Sequence, residues 1–165
     1  MADTPYIENR TFDEIAVGDK ASLSRRLDET QIRLFALASG DVNPAHLDPE
    51  YAATDLFHHI IAHGMWGGGL ISAVLGTQLP GPGTIYLSQS LRFVAPVALG
   101  DVVTAEVCVT EKDERHHNLT LACHCVNQRG EPVIEGEARV KAPTEKLRRP
   151  RVVLPEVQFI ERQGS

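Results

Sequence analysis

The stretch His63-Gly64-Met65-Trp66-Gly67-Gly68-Gly69-Leu70-Ile71-Ser72-Ala73-Val74-Leu75-Gly76 decides the fold. From Met65 to Leu75 only Ser72 is clearly polar. A helix that is apolar all round has no face for water and must be wrapped by protein. It is too short to cross a bilayer, which takes about 20 apolar residues. Gly67, Gly68 and Gly69 each cost a helix roughly 1 kcal/mol against alanine. In return they let a neighbouring backbone or a ligand come close.

The C-terminal half of the chain supplies the wrapping. After the proline and glycine turn Gln78–Gly83, four segments read as strands: Ile85–Phe93, Asp101–Thr110, Asn118–Asn127 and Val133–Val140. Turn signals separate them at Ala98–Asp101, Asp113–His117 and Asn127–Gly130. Such short connections predict antiparallel neighbours. Residues 16–27 add a turn and a partly alternating strand. The class is therefore α+β, an antiparallel sheet of five or more strands curled round one helix. Between the first strand and that helix, Thr30 reads as the N-cap of a helix through Ala38, with Gly40 as its stop. Asp48-Pro49 reads as the cap and first position of a short helix through Ala53.

Composition narrows the function. The chain of 165 residues carries a formal charge of −6 and a pI near 5.6, which offers no basic footprint for nucleic acid. No run of apolar residues reaches membrane-spanning length, and the N-terminus lacks a signal-peptide pattern. Cys108, Cys123 and Cys125 have no framework spacing and suit a reduced, cytoplasmic setting. Residues 1–142 read as one domain. From Pro143 to Ser165 the chain turns polar and proline-rich, which reads as a tail or linker with no further strand.

Chemistry concentrates in Asp41-Val42-Asn43-Pro44-Ala45-His46. Asn43-Pro44 stiffens a tight polar turn, because proline fixes its own φ and restricts the residue before it. A carboxylate and an imidazole held this close can activate a water between them. Asp41 could equally be turn-capping material, since Asp, Asn, Pro and Gly are ordinary turn residues. The second component is His63-Gly64, where the apolar helix begins. Its first N–H groups lack intrahelical partners and can polarise a carbonyl oxygen, as in an oxyanion hole. Activated water and a polarised carbonyl suit conjugate addition to an unsaturated thioester, and they suit thioester hydrolysis as well. His58 and His59 read as surface residues and His116-His117 as part of an exposed hairpin. A metal at His59 and His63 is not expected, since no glutamate lies between them.

Three blocks carry a family resemblance: Ser39–His46 with Ala52, Ala62–Met65 with the apolar helix to Gly76, and Leu79–Phe93. Together they resemble the MaoC-like (R)-specific enoyl-CoA hydratases, also called hydratase 2, from about Phe12 to Lys141. The resemblance implies the hot-dog fold and a homodimer with an acyl-CoA tunnel at its interface. It implies that Asp41 and His46 activate the water, that the Gly64 N–H binds the thioester oxygen and that Asn43 supports the turn. Ser72 and Leu75 match positions facing the acyl pocket in polyhydroxyalkanoate-linked members. The implied reaction is hydration of a trans-2-enoyl-CoA to an (R)-3-hydroxyacyl-CoA, with no metal or redox cofactor. A thioesterase on the same fold and a non-catalytic acyl-CoA-binding subunit are the alternatives. The chain is also similar to the MaoC-like domain fused ahead of phosphate acetyl- or butyryltransferases, where Pro143–Pro155 would be the linker; the chain to Ser165 leaves no room for that second domain. Arg92, Lys112, Arg115 and Arg139 are candidates for a basic rim facing the CoA phosphates.

Overall fold

The apolar stretch forms helix α4, Gly64–Thr77, and buries Trp66, Gly67, Gly68, Leu70, Ile71, Val74 and Leu75. This is a computed structural model, and it describes residues 5–160. Five strands wrap the helix: β2 (Lys20–Arg26), β3 (Ile85–Phe93), β4 (Val102–Asp113), β5 (Asn118–Val126) and β6 (Pro132–Lys141). All pairings are antiparallel, in the order β2-β4-β5-β6-β3. Val103, Ala105, Val107 and Val109 alternate with less buried residues along β4, as do Leu119, Leu121, Cys123 and Cys125 along β5. A period of two puts these side chains on one face, and that face meets α4. This is the hot-dog arrangement.

Burial also governs the thiols. Cys123 and Cys125 share the inner face, and burial pushes the Cys125 thiol up to about 12. Cys108 is only half-buried, and all three cysteines are free.

Three expectations are corrected. First, β3 does not pair with β4, its neighbour in the chain; it lies at the opposite edge, beside β6. The segment 94–101 is too long for a hairpin. It crosses under the start of α4, where Ala62 N donates to Val97 O and Ile61 bridges Ala98. Second, helix α1 is Glu29–Ser39 and its N-cap is Asp28, whose side chain accepts from Gln31 N; Thr30 is already helical. Leu27 N still bonds Asp101 O, so the chain stays extended up to the cap. Third, the segment from Pro143 is not free of strand. Arg148–Pro150 forms β7 and pairs with β1 (Tyr6–Glu8).

That ribbon is held by polar contacts, which is why apolar periodicity did not reveal it. Asn9 is 1 % exposed, donates Nδ2 to Glu145 O and accepts at Oδ1 from Leu147 N. Lys146 pairs with Glu8 and Glu14, and the Arg148 guanidinium stacks on Tyr6 at 4.1 Å.

Candidate functional site

Gly40 ends α1 in the left-handed region at φ 77° and turns the chain toward the site. Asp41 Oδ1 then accepts from Asn43 N, and Asn43 Oδ1 accepts from Ala45 N. Asn43 is thereby the N-cap of α2, Pro44–Leu47, with Pro44 at its first position. The expected tight turn is therefore a single turn of helix. Asn43 holds its geometry through the cap, since proline has no N–H to lose at that position. Helix α3, Pro49–Thr54, comes next with Asp48 as its cap, as expected.

His46 projects from α2, and its Nδ1 lies 2.9 Å from Ile61 O. A carbonyl only accepts, so Nδ1 carries a hydrogen, and in the neutral ring Nε2 is the acceptor. His63 is the N-cap residue of α4 and is 2 % exposed. Its Nε2–H donates to the Asp41 carbonyl at 3.0 Å. Its ring stacks on His46 with centroids 4.0 Å apart and leans on Phe35 at 4.8 Å. Its Nδ1 is buried with no hydrogen-bond partner among the described residues. The Trp66 indole ties the start of α4 to α1 by donating to Gln31 Oε1.

Gly64 opens α4 and is exposed. A side chain there would meet the Phe93 ring, 3.0 Å from an added Cβ. The absence of one leaves the first N–H groups of the helix accessible. Two cavities meet at this point. One, of about 330 Å³, is largely apolar and includes His46, His63, Gly64, Trp66, Phe93 and Ile134 in its wall. The other, of about 530 Å³, is more open and is lined by Phe35, Ser39, Asp41, His63, Gly64, Met65 and Phe93. His63, Gly64 and Phe93 are common to both.

Sequence reasoning named Asp41, His46 and Gly64, and the fold brings them together. It missed the role of His63, which ties the backbone of Asp41 to the ring of His46. The available signal was an imidazole at the start of an otherwise apolar helix. Ser72 lies on the exposed stripe of α4 with Met65, Gly69 and Gly76, and Leu75 is buried toward the sheet. Neither lines the two cavities. Of the rim candidates, Arg92 neighbours Phe93 and pairs with Glu135. Lys112 turns inward to the carbonyls of Phe12 and Ile15, and Arg139 sits beside Asp113. Neither Lys112 nor Arg139 lines the two cavities, and nor does Arg115. His58 and His59 are exposed, as is His116, while His117 packs edge-on against Phe12.

Asp41, His46 and His63 offer ligand atoms within 4.8 Å of one another, the spacing at which a metal ion could be gripped. One nitrogen of each imidazole is already committed to a backbone carbonyl. The remaining His63 nitrogen is buried.

Burial pushes the His63 imidazole below its usual value of 6.5; its bond to the Asp41 carbonyl opposes this, and the nearby His46 reinforces it. The unfolded chain therefore takes up a proton at this residue near pH 6.5 while the folded protein resists it. The stabilising contribution is complete above that pH. It is lost as the pH falls below it, until the folded imidazole also protonates. Thermal melts across this window are expected to show a steeper loss for wild type than for His63→Gln. Equal slopes would remove His63 as the cause.

The family described as MaoC like domain matches residues 13–123 of this chain. The (R)-specific enoyl-CoA hydratase of Rhodospirillum rubrum is 51% identical over 132 residues, 80% of this chain and 91% of that protein. Among solved structures, the R-hydratase PhaJ1 from Pseudomonas aeruginosa in its unliganded form superposes with a TM-score of 0.90 at 46% identity, covering 94% of this chain and 99% of that one. The (R)-hydratase from A. caviae involved in PHA biosynthesis superposes with a TM-score of 0.76 at 49% identity, covering 78% and 98%.

Proposed function

Because the chain belongs to the MaoC-like domain family, we propose that it is an (R)-specific enoyl-CoA hydratase, a hydro-lyase that adds water across the C2–C3 bond of a trans-2-enoyl-CoA. The observation that carries this reading is that Asp41 and His46 offer side-chain atoms within 4.8 Å of each other and share cavity walls with Gly64 at the start of α4.

The mechanism is built from those groups. A water lies between Asp41 and His46 Nε2. The thioester oxygen sits against the Gly64 N–H, where the helix dipole favours negative charge. As the water oxygen bonds to C3, Asp41 takes its proton and the electron pair of the double bond moves onto the thioester oxygen as an enolate. The Gly64 N–H stabilises that charge where it develops. A proton then returns to C2 from the same face, through the relay that Asp41 shares with His46, so the addition is syn. Read backwards, the same steps dehydrate the (R)-3-hydroxyacyl-CoA. His63 keeps its proton on Nε2 and fixes the spacing of the pair. The chemistry asks only for a CoA thioester and water, with no cofactor.

The test is the purified protein with crotonyl-CoA. Expected are loss of the enone absorbance, formation of the (R)-3-hydroxy product and no release of free CoA thiol. Thiol release without hydration would replace this reading with a thioesterase.

The partner implied is a second copy. Among the described residues strand β3 has its outer edge unpaired, and Met65, Ile85, Tyr86, Leu87 and Phe93 are exposed along it or beside it. Such an edge is a template for pairing. A twin subunit joined there would cover Ser72 and the small residues of the α4 stripe. That would place Ser72, with Leu75 behind it, against an acyl tunnel at the interface. Sedimentation is expected to give twice the chain mass of 18.1 kDa; a monomer would overturn this. Among the described residues no helix is long and apolar enough to cross a membrane. The free cysteines fit a reducing, cytoplasmic setting.

A further inference from the structure

Beyond β7 the chain continues as an arm without helix or strand, residues 151–160, whose side chains are exposed with one exception. Phe159 is half-buried. It closes one side of a notch of about 270 Å³ otherwise lined by Arg33, Ala36, Leu37, Val42 and Leu47. The Arg33 guanidinium stands 5.7 Å from the centre of its ring. The other end of the arm is fixed, because Arg151 N donates to Pro5 O directly after the β1–β7 ribbon.

The position of the notch gives the contact its meaning. Val42 follows Asp41 in the chain, Leu47 follows His46, and Leu37 lies in the last turn of α1 that leads into them. The inner side of the segment 40–47 is held by two imidazole bonds, His46 to Ile61 O and His63 to Asp41 O. Its outer side is open: Leu37 is 73 % and Val42 70 % exposed even with Phe159 in place. Phe159 is the ring that reaches this outer side, and it does so from a chain segment anchored on the ribbon.

We propose that residues 151–160 form a strap in which Phe159 is a positioning residue, pressing the Asp41–His46 segment from outside against the imidazoles that hold it from inside. Hydration geometry is sensitive to small displacements of the acid–base pair. A strap therefore acts on the chemical step more than on thioester binding, which belongs to Gly64. The activity half of this inference rests on the hydratase reading; the structural half does not.

Two measurements separate them. Hydrogen–deuterium exchange of the purified full chain reads the segment directly. With Phe159→Ala, amides of residues 40–48 are expected to exchange about five- to tenfold faster, as expected when a partly buried ring stops holding a locally opening unit. Amides of 66–75 in α4 should be unchanged, and Phe159→Leu should restore most of the protection. Ile160→Ala, at a residue 92 % exposed, is the control and should match wild type. Equal exchange in Phe159→Ala and wild type overturns the strap whatever the enzyme does. The second measurement is steady-state hydration of crotonyl-CoA, where Phe159→Ala should lower kcat by a similar factor with KM little changed. A kcat equal to wild type, with exchange accelerated, overturns the positioning role. Failure of the wild type itself to hydrate crotonyl-CoA would overturn the hydratase reading and leave the exchange result to decide the strap.

Discussion

Asp41→Asn is expected to slow hydration of crotonyl-CoA roughly 10²- to 10⁴-fold, the usual contribution of one positioned acid–base group. The substitution isolates chemistry from folding. Asparagine keeps the shape of the side chain and an oxygen that can still accept from Asn43 N, the bond that seats residue 41 before α2. The His63 bond goes to the backbone carbonyl of residue 41 and is untouched by the change. What is lost is a group able to take the proton from water. Because the thioester oxygen is held by the helix start at Gly64, KM should move little and the loss should fall on kcat. The enone absorbance of crotonyl-CoA follows the rate, and a thermal melt confirms that the variant is folded. A folded variant with the wild-type rate would remove Asp41 from the mechanism.

The largest expected effect on stability lies elsewhere. Gly136 sits in β6 opposite Leu91 of β3 and Cys123 of β5. A Cβ at this position would lie 2.0 Å from the Ser90 carbonyl oxygen and 2.9 Å from its carbon. Both are backbone atoms, so no rotamer change relieves the clash, and β3 must move away from β6. Gly136→Ala should therefore cost about 3 kcal/mol, the upper part of the range for overpacking. For a chain of this size that corresponds to a fall in Tm of roughly 6–12 °C. A melt within about 2 °C of wild type would show that the strands separate more cheaply than the geometry implies. Because β3 also carries the edge proposed for dimer pairing, the same variant should weaken association.

How much of this was legible in the sequence depended on which force placed each element. The apolar stretch of α4 and the alternation in β4 and β5 are hydrophobic patterns, and both were readable because burial leaves a period in the residue types. The closeness of Asp41 and His46 was readable because a proline and an asparagine restrict the backbone between them, while the roles proposed for Asp41, Asn43 and His46 came from the family resemblance. The position of β3 was not, since strand order is settled by where residues 94–101 dock, a contact with Ile61 and Ala62 that no local period records. The β1–β7 ribbon was hidden for a related reason. It is held by Asn9, Lys146 and Arg148 through bonds and charges, so its residues look like solvated chain. His63 reads as helix-cap material until the fold sets it against His46 and Asp41.

The ribbon also has a consequence for how the protein comes into being. The amide of Asn9 is shut away from water and finds its partners at Glu145 and Leu147, more than 130 residues further along the chain. A nascent chain leaving the ribosome has no such partners until Glu145 and Leu147 emerge. Until then, leaving this amide unpaired in a dry site would cost on the order of 1–3 kcal/mol. The β1–β7 ribbon therefore closes only once residues 145–147 have been made and are free to fold.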